Sequence, residues 1–512
     1  MFFYGFLNRL LKGVVAIATS LLLFFSGMLS GSPTALADTP VLKPNIIVIL
    51  VDDLGNADLG YRGSKIETPN IDNLAENGVQ LESYYGLPVC TPARAALLTG
   101  RYPMRHGLQT NVIFPAHTYG LPTDEVTLAD ALKEAGYKTA MVGKWHLGHA
   151  SKDYWPQNRG FDHFYGNVMG EVNYFTKERG DVVDWQRNGK QLRIKPFKQG
   201  YYTELIGDEA VELIHQHDQS KPFFLYFASQ APHTPLQAPT EDIEYYESLF
   251  PGDENLDKRT YAAMITSIDE QIGRMLDALE EEGMRNNTLI FFTTDNGGNA
   301  QTTFSAPDSD IPDEPPGSNE PFRGGKMTLY EGGVRLPAIV NWPAQLEPAE
   351  VYEPLHHVDI MPTLLALAGG EGGLLHPFDG KDAWATIAEK APSPHEEILI
   401  NVESYRGAII RKDKDSGHYW KLIKYATLPG KTELFDLSED KEEQNDLAAD
   451  RPDIVAELEA RLVAYAEKQK FSEWLKAQPD FIDAQGKPAF DPDFDVDDAG
   501  PIDQIPALPD NF

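Results

Sequence analysis

The chain of 512 residues contains a single cysteine, whose neighbours suit a nucleophile that acts on an anion. Cys90 stands just before Pro92 and an Ala/Leu-rich stretch that ends at Leu98. Because proline is tolerated in a first helical turn and alanine and leucine extend helices well, this pattern places Cys90 at or just before a helix start. Free N–H groups there favour an anion by about 0.3–1 kcal/mol, and Arg94 adds a positive charge about one turn further on. A lone cysteine is more often a buried, inert thiol, and position alone leaves both interpretations open.

Three carboxylates and an amide form a second group of candidates. Asp52 and Asp53 follow one apolar run, and Asp295 and Asn296 follow another. Carboxylates about 4 Å apart repel each other by about 4 kcal/mol at an effective dielectric constant of about 20, so such a group needs protonation, separation or a cation. Since every donor is an oxygen, the sequence favours Ca²⁺ or Mg²⁺ over zinc. Each pair alone is also typical of an ordinary strand-to-turn transition.

Two lysines and two histidines complete the set. Lys144 and His146 follow a third apolar run, two residues apart, where an extended segment can turn both to the same side. A proline precedes His233, and two glycines that permit close backbone approach precede Lys326. Taken alone, each lysine is typical of a solvated side chain, and each histidine is typical of a core residue whose hydrogen bonds are satisfied. Together with Cys90 and a cation they fit a tetrahedral ester, sulfate or phosphate: cations neutralise its oxygens, one imidazole acts as a base, and the other protonates the leaving oxygen.

The elements that must position these groups alternate between strands and helices. Continuous apolar runs at 45–51, 137–143, 223–228 and 288–294 are typical of strands buried on both faces. Helical patterns separate them, one at 127–135 with a Thr-x-x-Asp cap and a longer one that ends near Gly283. This alternation predicts a doubly wound α/β sheet. Its binding crevice lies beyond the carboxyl ends of the strands, where the candidate residues fall.

The pattern changes at about Pro394. Short strands at 398–402, 407–411, 420–425 and 433–437 predict a small antiparallel sheet, and a helix with Ile454, Leu458 and Leu462 on one face follows it. We therefore predict a signal peptide (1–37), a catalytic domain (38–393), a C-terminal α+β subdomain (394–477) and an extended Pro/Asp-rich tail (478–512). The loop-like segment 302–321 is expected to contribute to a substrate rim.

The first residues resemble a targeting segment. Arg9 and Lys12 precede a mostly apolar stretch at 13–29 and an Ala-Leu-Ala site that ends at Ala37, which is typical of a cleaved secretory signal. Residues 14–29 approach the length of a short membrane span, so a retained anchor is the alternative. We expect an exported protein, periplasmic or extracellular, with no stable span after cleavage. With one cysteine the chain has no internal disulfide.

A formal net charge of −34 excludes two classes of partner. A field of this sign repels nucleic acid and anionic lipid, and neither is expected to bind. The same field repels an anionic substrate. A site for such a substrate therefore needs strong local positive charge.

In their order along the chain, these motifs resemble the sulfatase family of the alkaline phosphatase superfamily. The first family signature, Cys-x-Pro-[Ser/Ala]-Arg followed by Leu-Thr-Gly-Arg, is matched at 90–94 and 98–101. The second, Gly-Tyr-x-Thr and then Gly-Lys-Trp-His-Leu-Gly, is matched at 136–148. The runs at 52–55, 295–297, 323–326 and 433–437 follow in the family's order. Residues 107–109 and 159–162 are most similar to arylsulfatase B, an N-acetylgalactosamine-4-sulfatase. The resemblance implies a large mixed, mostly parallel sheet flanked by helices, with a smaller C-terminal antiparallel sheet and helix.

The resemblance also implies a modified residue and a metal. Cys90 would be oxidised after synthesis to formylglycine by a formylglycine-generating enzyme and would act as the aldehyde hydrate. The implied metal is Ca²⁺, with Mg²⁺ as second choice. Its ligands, carried over by position, would be Asp52, Asp53, Asp295, Asn296 and the modified Cys90.

Further roles follow from the same resemblance. Arg94 and Lys144 would hold the hydrate, and Lys144 and Lys326 would bind the sulfate. His146 would assist deprotonation of the second hydroxyl of the hydrate. His233, together with Lys326, would bind the ester and protonate the leaving alcohol. The segment 166–173 does not match the further polar ligand of some relatives, so its role stays open.

We therefore expect a hydrolase of sulfate esters, with aryl sulfates and sulfated sugars or glycans as substrates. One alternative is a phosphonate or phosphate ester hydrolase of the same superfamily; the intact Lys-Trp-His-Leu-Gly and Arg-Gly-Gly-Lys runs favour the sulfatase. Another is a non-catalytic protein that binds sulfated glycans. The presence of every expected catalytic residue argues against it.

Overall fold

The computed structural model describes residues 43–192, 200–299, 315–370, 375–427 and 429–478. The predicted signal segment, most of the predicted rim segment 302–321 and nearly all of the predicted tail 478–512 lie outside these residues. All described residues belong to one unit that begins at Lys43.

The strands of the described residues are mostly short, and the four continuous apolar runs noted in the sequence form strands of six or seven residues. In chain order they are β1 (Asn45–Val51), β2 (Val79–Leu81), β3 (Tyr84–Tyr85), β4 (Lys138–Lys144), β5 (His163–Asn167), β6 (Glu178–Arg179), β7 (Val182–Val183), β8 (Gln186–Arg187), β9 (Lys190–Gln191), β10 (Phe223–Ala228), β11 (Thr288–Thr294), β12 (Arg335–Leu336), β13 (Ala338–Asn341), β14 (Ala349–Val351), β15 (Leu355–His356), β16 (Glu397–Val402), β17 (Arg406–Lys412), β18 (Tyr419–Tyr425) and β19 (Lys431–Asp436).

A ten-stranded sheet carries the candidate residues, in the order β14-β2-β13-β11-β1-β10-β4-β5-β8-β9. Its five central strands, β11 to β5, are parallel, whereas β13 and β8 join it antiparallel. Alternate residues of β1 pack into two different cores: Ile46 and Val48 into one, Ile47 and Ile49 into the other. A strand buried on both faces shows a continuous apolar run, which is why the sequence revealed it. The predicted mixed, mostly parallel sheet is confirmed.

Helices cover both faces of this sheet. Within the described residues the α-helices span Pro69–Glu76, Cys90–Thr99, Leu128–Glu134, Tyr202–His215, Thr240–Tyr245, Leu256–Glu281, Glu331–Val334, Ile360–Leu367, Trp384–Glu389, Pro452–Ala466 and Glu473–Lys476. The predicted cap at Thr127 is present, because its hydroxyl accepts from the Asp130 N–H at 3.1 Å and the Asp130 carboxylate accepts from the Thr127 N–H at 3.1 Å. The strand predicted at 137–143 begins and ends one residue later.

A four-stranded antiparallel sheet, β16-β17-β18-β19, follows the large sheet, as predicted. Leu399, Leu422 and Leu458 share one core cluster with Ala93 and Ala96 of the helix that begins at Cys90. The small sheet therefore supports the element that carries the candidate nucleophile. Among the described residues, no helix is both long enough and apolar enough to traverse a bilayer.

Candidate active site

The carboxyl ends of four neighbouring strands bring the candidate residues together. Asp52 and Asp53 follow β1, and Asp295 and Asn296 follow β11, which pairs with it in parallel. On the other side of β1 lies β10, then β4. Because parallel strands end at the same edge, side chains from distant parts of the chain meet in one place, as the sequence predicted. We call Asp52, Asp53, Cys90, Arg94, Lys144, Asp295, Asn296 and Lys326 the strand-end cluster.

Cys90 is the first residue of its helix, and the extended Val89 precedes it. Its Sγ donates to Asp52 Oδ1 at 3.5 Å, and its side chain is buried. Burial and the charge of Asp52 raise the pKa of the thiol well above its ordinary value. An unmodified Cys90 is therefore a neutral thiol, which is a poor nucleophile compared with a thiolate.

Arg94 is fully buried and bridges the ends of three strands. Its guanidinium donates to Asp295 Oδ2 and Asp52 Oδ2, each at 3.0 Å, and to the carbonyl oxygen of Lys144 at 2.8 Å. Burial opposes its charge, but Asp295 and Asp52 more than offset this and raise the pKa of Arg94. Arg94 is thus a permanent positive charge inside the cluster. It contacts the proposed metal ligands, whereas the resemblance assigned it to the hydrate of Cys90.

The two lysines each pair with a different carboxylate. Lys144 forms a buried ion pair with Asp52, and Lys326 Nζ lies 2.7 Å from Asp53 Oδ2. Lys326 reaches the cluster because its N–H donates to the Gly298 carbonyl at 3.1 Å, which ties its loop to the segment after β11. Burial opposes the charge of Lys326, but Asp53 raises its pKa above the ordinary value. Lys326 is therefore a fixed cation at the edge of the cluster.

The carboxylates of the cluster differ in how well their charges are compensated. Burial favours the neutral form of Asp52, but Lys144, His233 and Arg94 outweigh it and lower the pKa of Asp52. Burial and the neighbouring Asp52 charge raise the pKa of Asp295. Asp295 is accordingly the carboxylate that gains most from an added cation.

The donor set fits a hard metal ion. Asp52, Asp53, Cys90 and His233 each offer a ligand atom within 4.8 Å of the others. Asn296 donates through Nδ2 to Asp53 Oδ1 at 2.6 Å, while its buried Oδ1 has no hydrogen-bond partner among the described residues. A buried carbonyl oxygen without a partner is costly, and a cation would satisfy it. Carboxylate and amide oxygens are the ligands that Ca²⁺ and Mg²⁺ prefer.

The local charges explain how an acidic chain can bind an anion. The three carboxylates Asp52, Asp53 and Asp295 are matched in number by Arg94, Lys144 and Lys326. In formal terms these six charges cancel, so a divalent cation would leave the strand-end cluster positive. The site would then attract a sulfate or phosphate group although the whole chain carries a formal charge of −34.

His146 lies beside the cluster rather than on an extended continuation of β4. Its φ is 60°, so Lys144 and His146 do not share one side of an extended segment as expected. Its Nε2 lies 3.2 Å from the Ile113 carbonyl oxygen. A Cβ at Gly170 would approach this nitrogen to 2.4 Å, so the ring needs a glycine there. The buried Nδ1 has no hydrogen-bond partner among the described residues.

His233 and Lys326 stand at the open side of the site. Their side chains are 12% and 13% exposed, whereas those of Asp52, Arg94 and Lys144 are fully buried. His233 Nε2 lies 3.7 Å from Asp53 Oδ2, and burial and the nearby Lys326 and Lys144 charges lower the pKa of His233. A ligand that enters from solvent meets these two residues first.

The sequence alone did not reveal Glu171 or Arg179. Glu171 Oε2 lies 3.4 Å from His233 Nδ1, and Arg179 forms an ion pair with the other oxygen of the same carboxylate. Both fall in or after the segment 166–173 whose role stayed open. One glutamate among 78 acidic residues carries no signal of its own, because only the tertiary structure places it beside His233.

Comparisons with known proteins agree with the motif resemblance. The family model described as Sulfatase matches residues 44–370, and one described as N-sulphoglucosamine sulphohydrolase, C-terminal, matches residues 324–468. Arylsulfatase J of Mus musculus is 41% identical over 366 residues, which are 70% of this chain and 58% of that protein. N-acetylgalactosamine-6-sulfatase of Homo sapiens is 36% identical over 395 residues, which are 74% of this chain and 72% of the relative.

A solved structure of similar fold is that of Ps i-CgsB in complex with k-i-k-neocarrahexaose. It is 32% identical, has a TM-score of 0.73, and covers 86% of this chain and 98% of that one. The N-acetylgalactosamine sulfatases found are 6-sulfatases, whereas the motifs most resembled a 4-sulfatase. The family expectation is confirmed.

Proposed function

The chain belongs to the sulfatase family, and from this membership we propose that it hydrolyses sulfate esters. Water would cleave the ester S–O bond to give an alcohol and sulfate, with no change of oxidation state. The observation that carries the proposal is the strand-end cluster, in which a helix-start cysteine, three carboxylates and three cations meet at one sheet edge. Such preorganised charge is what the transfer of a tetrahedral oxyanion group requires.

Cys90 is proposed as the precursor of the nucleophile. Conversion to formylglycine replaces the sulfur by an oxygen from water in a two-electron oxidation that releases hydrogen sulfide, so it needs an external two-electron oxidant and a maturation enzyme as partner. The aldehyde hydrate supplies one hydroxyl to attack sulfur and a second whose deprotonation lets sulfate leave as the aldehyde returns. The position of Cys90 supports this role, because its Sγ lies 3.5 Å from Asp52 Oδ1, one of the proposed metal ligands.

The other residues would act on the bound ester. Asp52, Asp53, Asp295 and Asn296 would hold Ca²⁺, which would polarise the sulfate oxygens. Lys144 and Lys326 would bind the sulfate, and Arg94 would keep the carboxylates in place while adding positive charge. His146, beside the helix start, would accept the proton of the second hydroxyl. His233 and Lys326, at the open side, would deliver a proton to the leaving alcohol.

Sulfated sugars are the proposed natural substrates. Support comes from the relatives, whose names include N-acetylgalactosamine-6-sulfatase, and from the complex of Ps i-CgsB with k-i-k-neocarrahexaose. Phe175 is a candidate contact for a sugar ring, because it is 43% exposed and follows Tyr174, whose hydroxyl donates to the His233 carbonyl at 2.8 Å. Exposed aromatic rings commonly form the apolar surface of ligand sites. We also propose that the protein is exported to the periplasm or to the outside of the cell.

The test compares two ester classes on purified protein in which mass spectrometry has verified formylglycine at position 90. We expect a higher kcat/KM on 4-nitrophenyl sulfate than on 4-nitrophenyl phenylphosphonate. The reverse order would assign the chain to phosphonate ester hydrolysis. Tight binding of sulfated glycans by protein with an unmodified thiol at Cys90, without turnover of either ester, would support the binding protein instead.

A further inference from the structure

His233 has acceptors on one side of its ring and the strand-end cluster on the other. Nδ1 lies 2.7 Å from the Thr234 carbonyl oxygen and 3.4 Å from Glu171 Oε2. Nε2 lies 3.7 Å from Asp53 Oδ2. With two acceptors beside it, Nδ1 is the nitrogen that carries a hydrogen toward them, and this fixes which nitrogen faces the site. Glu171 is the charged member of that pair.

Glu171 is itself held by a charged partner. Arg179, at the end of β6, forms an ion pair with Glu171 Oε1 while Oε2 faces the ring. The side chains of Glu171 and Arg179 are 13% and 15% exposed, so this pair is largely shielded from water. The β6–β7 hairpin thereby determines where the carboxylate lies.

The backbones that carry Glu171 and His233 are also joined to each other. Gln230 accepts from the Val172 N–H and donates to the Val172 carbonyl, each at 2.8 Å. The Tyr174 hydroxyl donates to the His233 carbonyl at 2.8 Å. These bonds link the segment after β5 to the segment after β10 on both sides of the carboxylate–imidazole contact. The contact between Glu171 and His233 is therefore held in place by hydrogen bonds between the two segments that carry them.

We propose that Glu171, held by Arg179, is the positioning residue that orients His233 for proton delivery to the leaving oxygen. The inference rests on the proposed sulfatase function. As the S–O bond breaks, its electron pair stays on the leaving oxygen, which takes the Nε2 proton of a doubly protonated His233 and leaves the neutral ring with its hydrogen on Nδ1. Glu171 takes no part in the proton transfer itself and acts only through the position of the His233 ring. Its effect is on the angle at which the ring meets the ester.

The dependence of kcat on the leaving group distinguishes a role of Glu171 in positioning His233 from a role in supporting the fold. A weakly basic leaving group such as 4-nitrophenolate departs with little help, whereas 4-methoxyphenolate needs its proton during bond cleavage. Misplacing a catalytic group costs up to about 100-fold. We expect Glu171→Gln to lower kcat on 4-methoxyphenyl sulfate by about 10- to 100-fold, and kcat on 4-nitrophenyl sulfate by less than about threefold.

Three matched variants accompany this measurement. Arg179→Met should show the same split with a smaller loss on 4-methoxyphenyl sulfate. Glu178→Gln, an exposed carboxylate on the same hairpin, should leave both rates unchanged. In a His233→Gln background, Glu171→Gln should cause no further loss, because the ring that it orients is gone.

Equal losses on the two sulfates would show that Glu171 supports only the fold of the site, and would overturn the inference while the sulfatase function stands. An additive loss in the His233→Gln background would overturn it as well. If formylglycine-verified wild-type protein turned over neither sulfate, the proposed function itself would fall, and the inference with it.

Discussion

Two buried groups of charges in this molecule are built from similar residues and differ in completeness. One is the strand-end cluster. The other, which we call the sheet-junction cluster, consists of Glu331, Arg335, Lys421 and Glu443. Lys421, on β18 of the small sheet, lies 2.8 Å from Glu331 Oε1 and 2.9 Å from Glu443 Oε1. Both groups remove carboxylates and cations from water almost completely.

The sheet-junction cluster closes on itself. Glu331 accepts from the Tyr85 hydroxyl at 2.9 Å and pairs with Arg335 at 3.2 Å, while Glu443 Oε2 accepts from the Glu331 N–H at 2.7 Å. The strand-end cluster, in contrast, leaves Asn296 Oδ1 without a hydrogen-bond partner in the part of the chain that the structure describes, and the same is true of Nδ1 of His146 beside it. A closed group stabilises the fold, whereas an open group is able to bind something else.

The largest effect that this comparison predicts is on turnover. Cys90→Ala should lower kcat/KM on an aryl sulfate by at least about 10⁴-fold, because it removes the residue that we propose as the precursor of the covalent nucleophile. The free energy of unfolding should change by no more than about 1 kcal/mol, since Cys90 makes one side-chain bond, at 3.5 Å. Aryl sulfate kinetics and urea unfolding measure the two quantities. A folded and fully active variant would mean that Cys90 is only a core residue.

The sheet-junction cluster should show the opposite behaviour. Lys421→Met leaves two buried carboxylates without their shared cation and should lower the free energy of unfolding by about 3–5 kcal/mol. In the folded variant kcat should fall by less than about fivefold, because Lys421 contacts none of the strand-end residues.

Lys424→Met is the matched control. Lys424 lies on the same strand, but its ion pair with Glu459 is about one third exposed, so the variant should lose about 1 kcal/mol or less. If Lys421→Met cost no more than Lys424→Met in urea unfolding, the sheet-junction cluster would not stabilise the fold in the way that its closed contacts indicate.

The sequence made the strand-end cluster predictable and left the sheet-junction cluster unseen. Asp52 and Asp295 each follow an apolar run directly, and the carboxyl ends of parallel strands lie at the same edge of a sheet. The local patterns were therefore enough to predict that these residues lie close together. Lys421 and Glu331 lie within ordinary strand and helix sequences 90 positions apart. No local pattern marks such a pair, because the two side chains come into contact only when the two sheets pack together.

The same reasoning explains the errors at finer scale. Lys144 and His146 were expected on one side of an extended segment, but His146 adopts φ of 60° so that its ring passes close to Gly170. Gly170 belongs to a segment after β5 that touches this ring only in the folded chain. Glu171, its neighbour, was missed for the same reason.

Removal of metal should affect the strand-end cluster and leave the sheet-junction cluster unchanged. A cation at 100 times its dissociation constant stabilises a protein by about 2.7 kcal/mol, so a chelator should lower the melting temperature and abolish turnover. Adding back Ca²⁺ should restore both, Mg²⁺ less, and Zn²⁺ least, given the oxygen ligands. In Asp53→Asn the melting temperature should respond less to Ca²⁺. A melting temperature that changed neither after chelation nor after Ca²⁺ addition would show that the strand-end cluster does not bind the ion.

A smaller effect than that of the metal is predicted for a carboxylate that is buried without a cationic partner in the described part of the chain. Asp269 accepts from the Ile71 N–H at 2.7 Å and the Asn70 N–H at 3.1 Å. Burial raises the pKa of Asp269 from 3.8 to about 6, in contrast to Asp52, whose neighbouring cations lower it. Between these two pH values the folded state keeps a proton that the unfolded state has released. The contribution of Asp269 to stability is therefore greatest below pH 4 and falls as pH rises through about 6.

Asp269→Asn isolates this contribution, because the amide cannot ionise. Between pH 4 and pH 7 the free energy of unfolding of the wild type should fall by about 2.4 kcal/mol relative to the variant, because the shift from 3.8 to about 6 corresponds to about 3 kcal/mol in total and part of this is lost below pH 4. Urea unfolding of both proteins at the two pH values gives this difference. A wild type that instead gained stability over the variant as pH rose would mean that cations, rather than N–H donors alone, govern this carboxylate, and the contrast with the strand-end cluster would disappear.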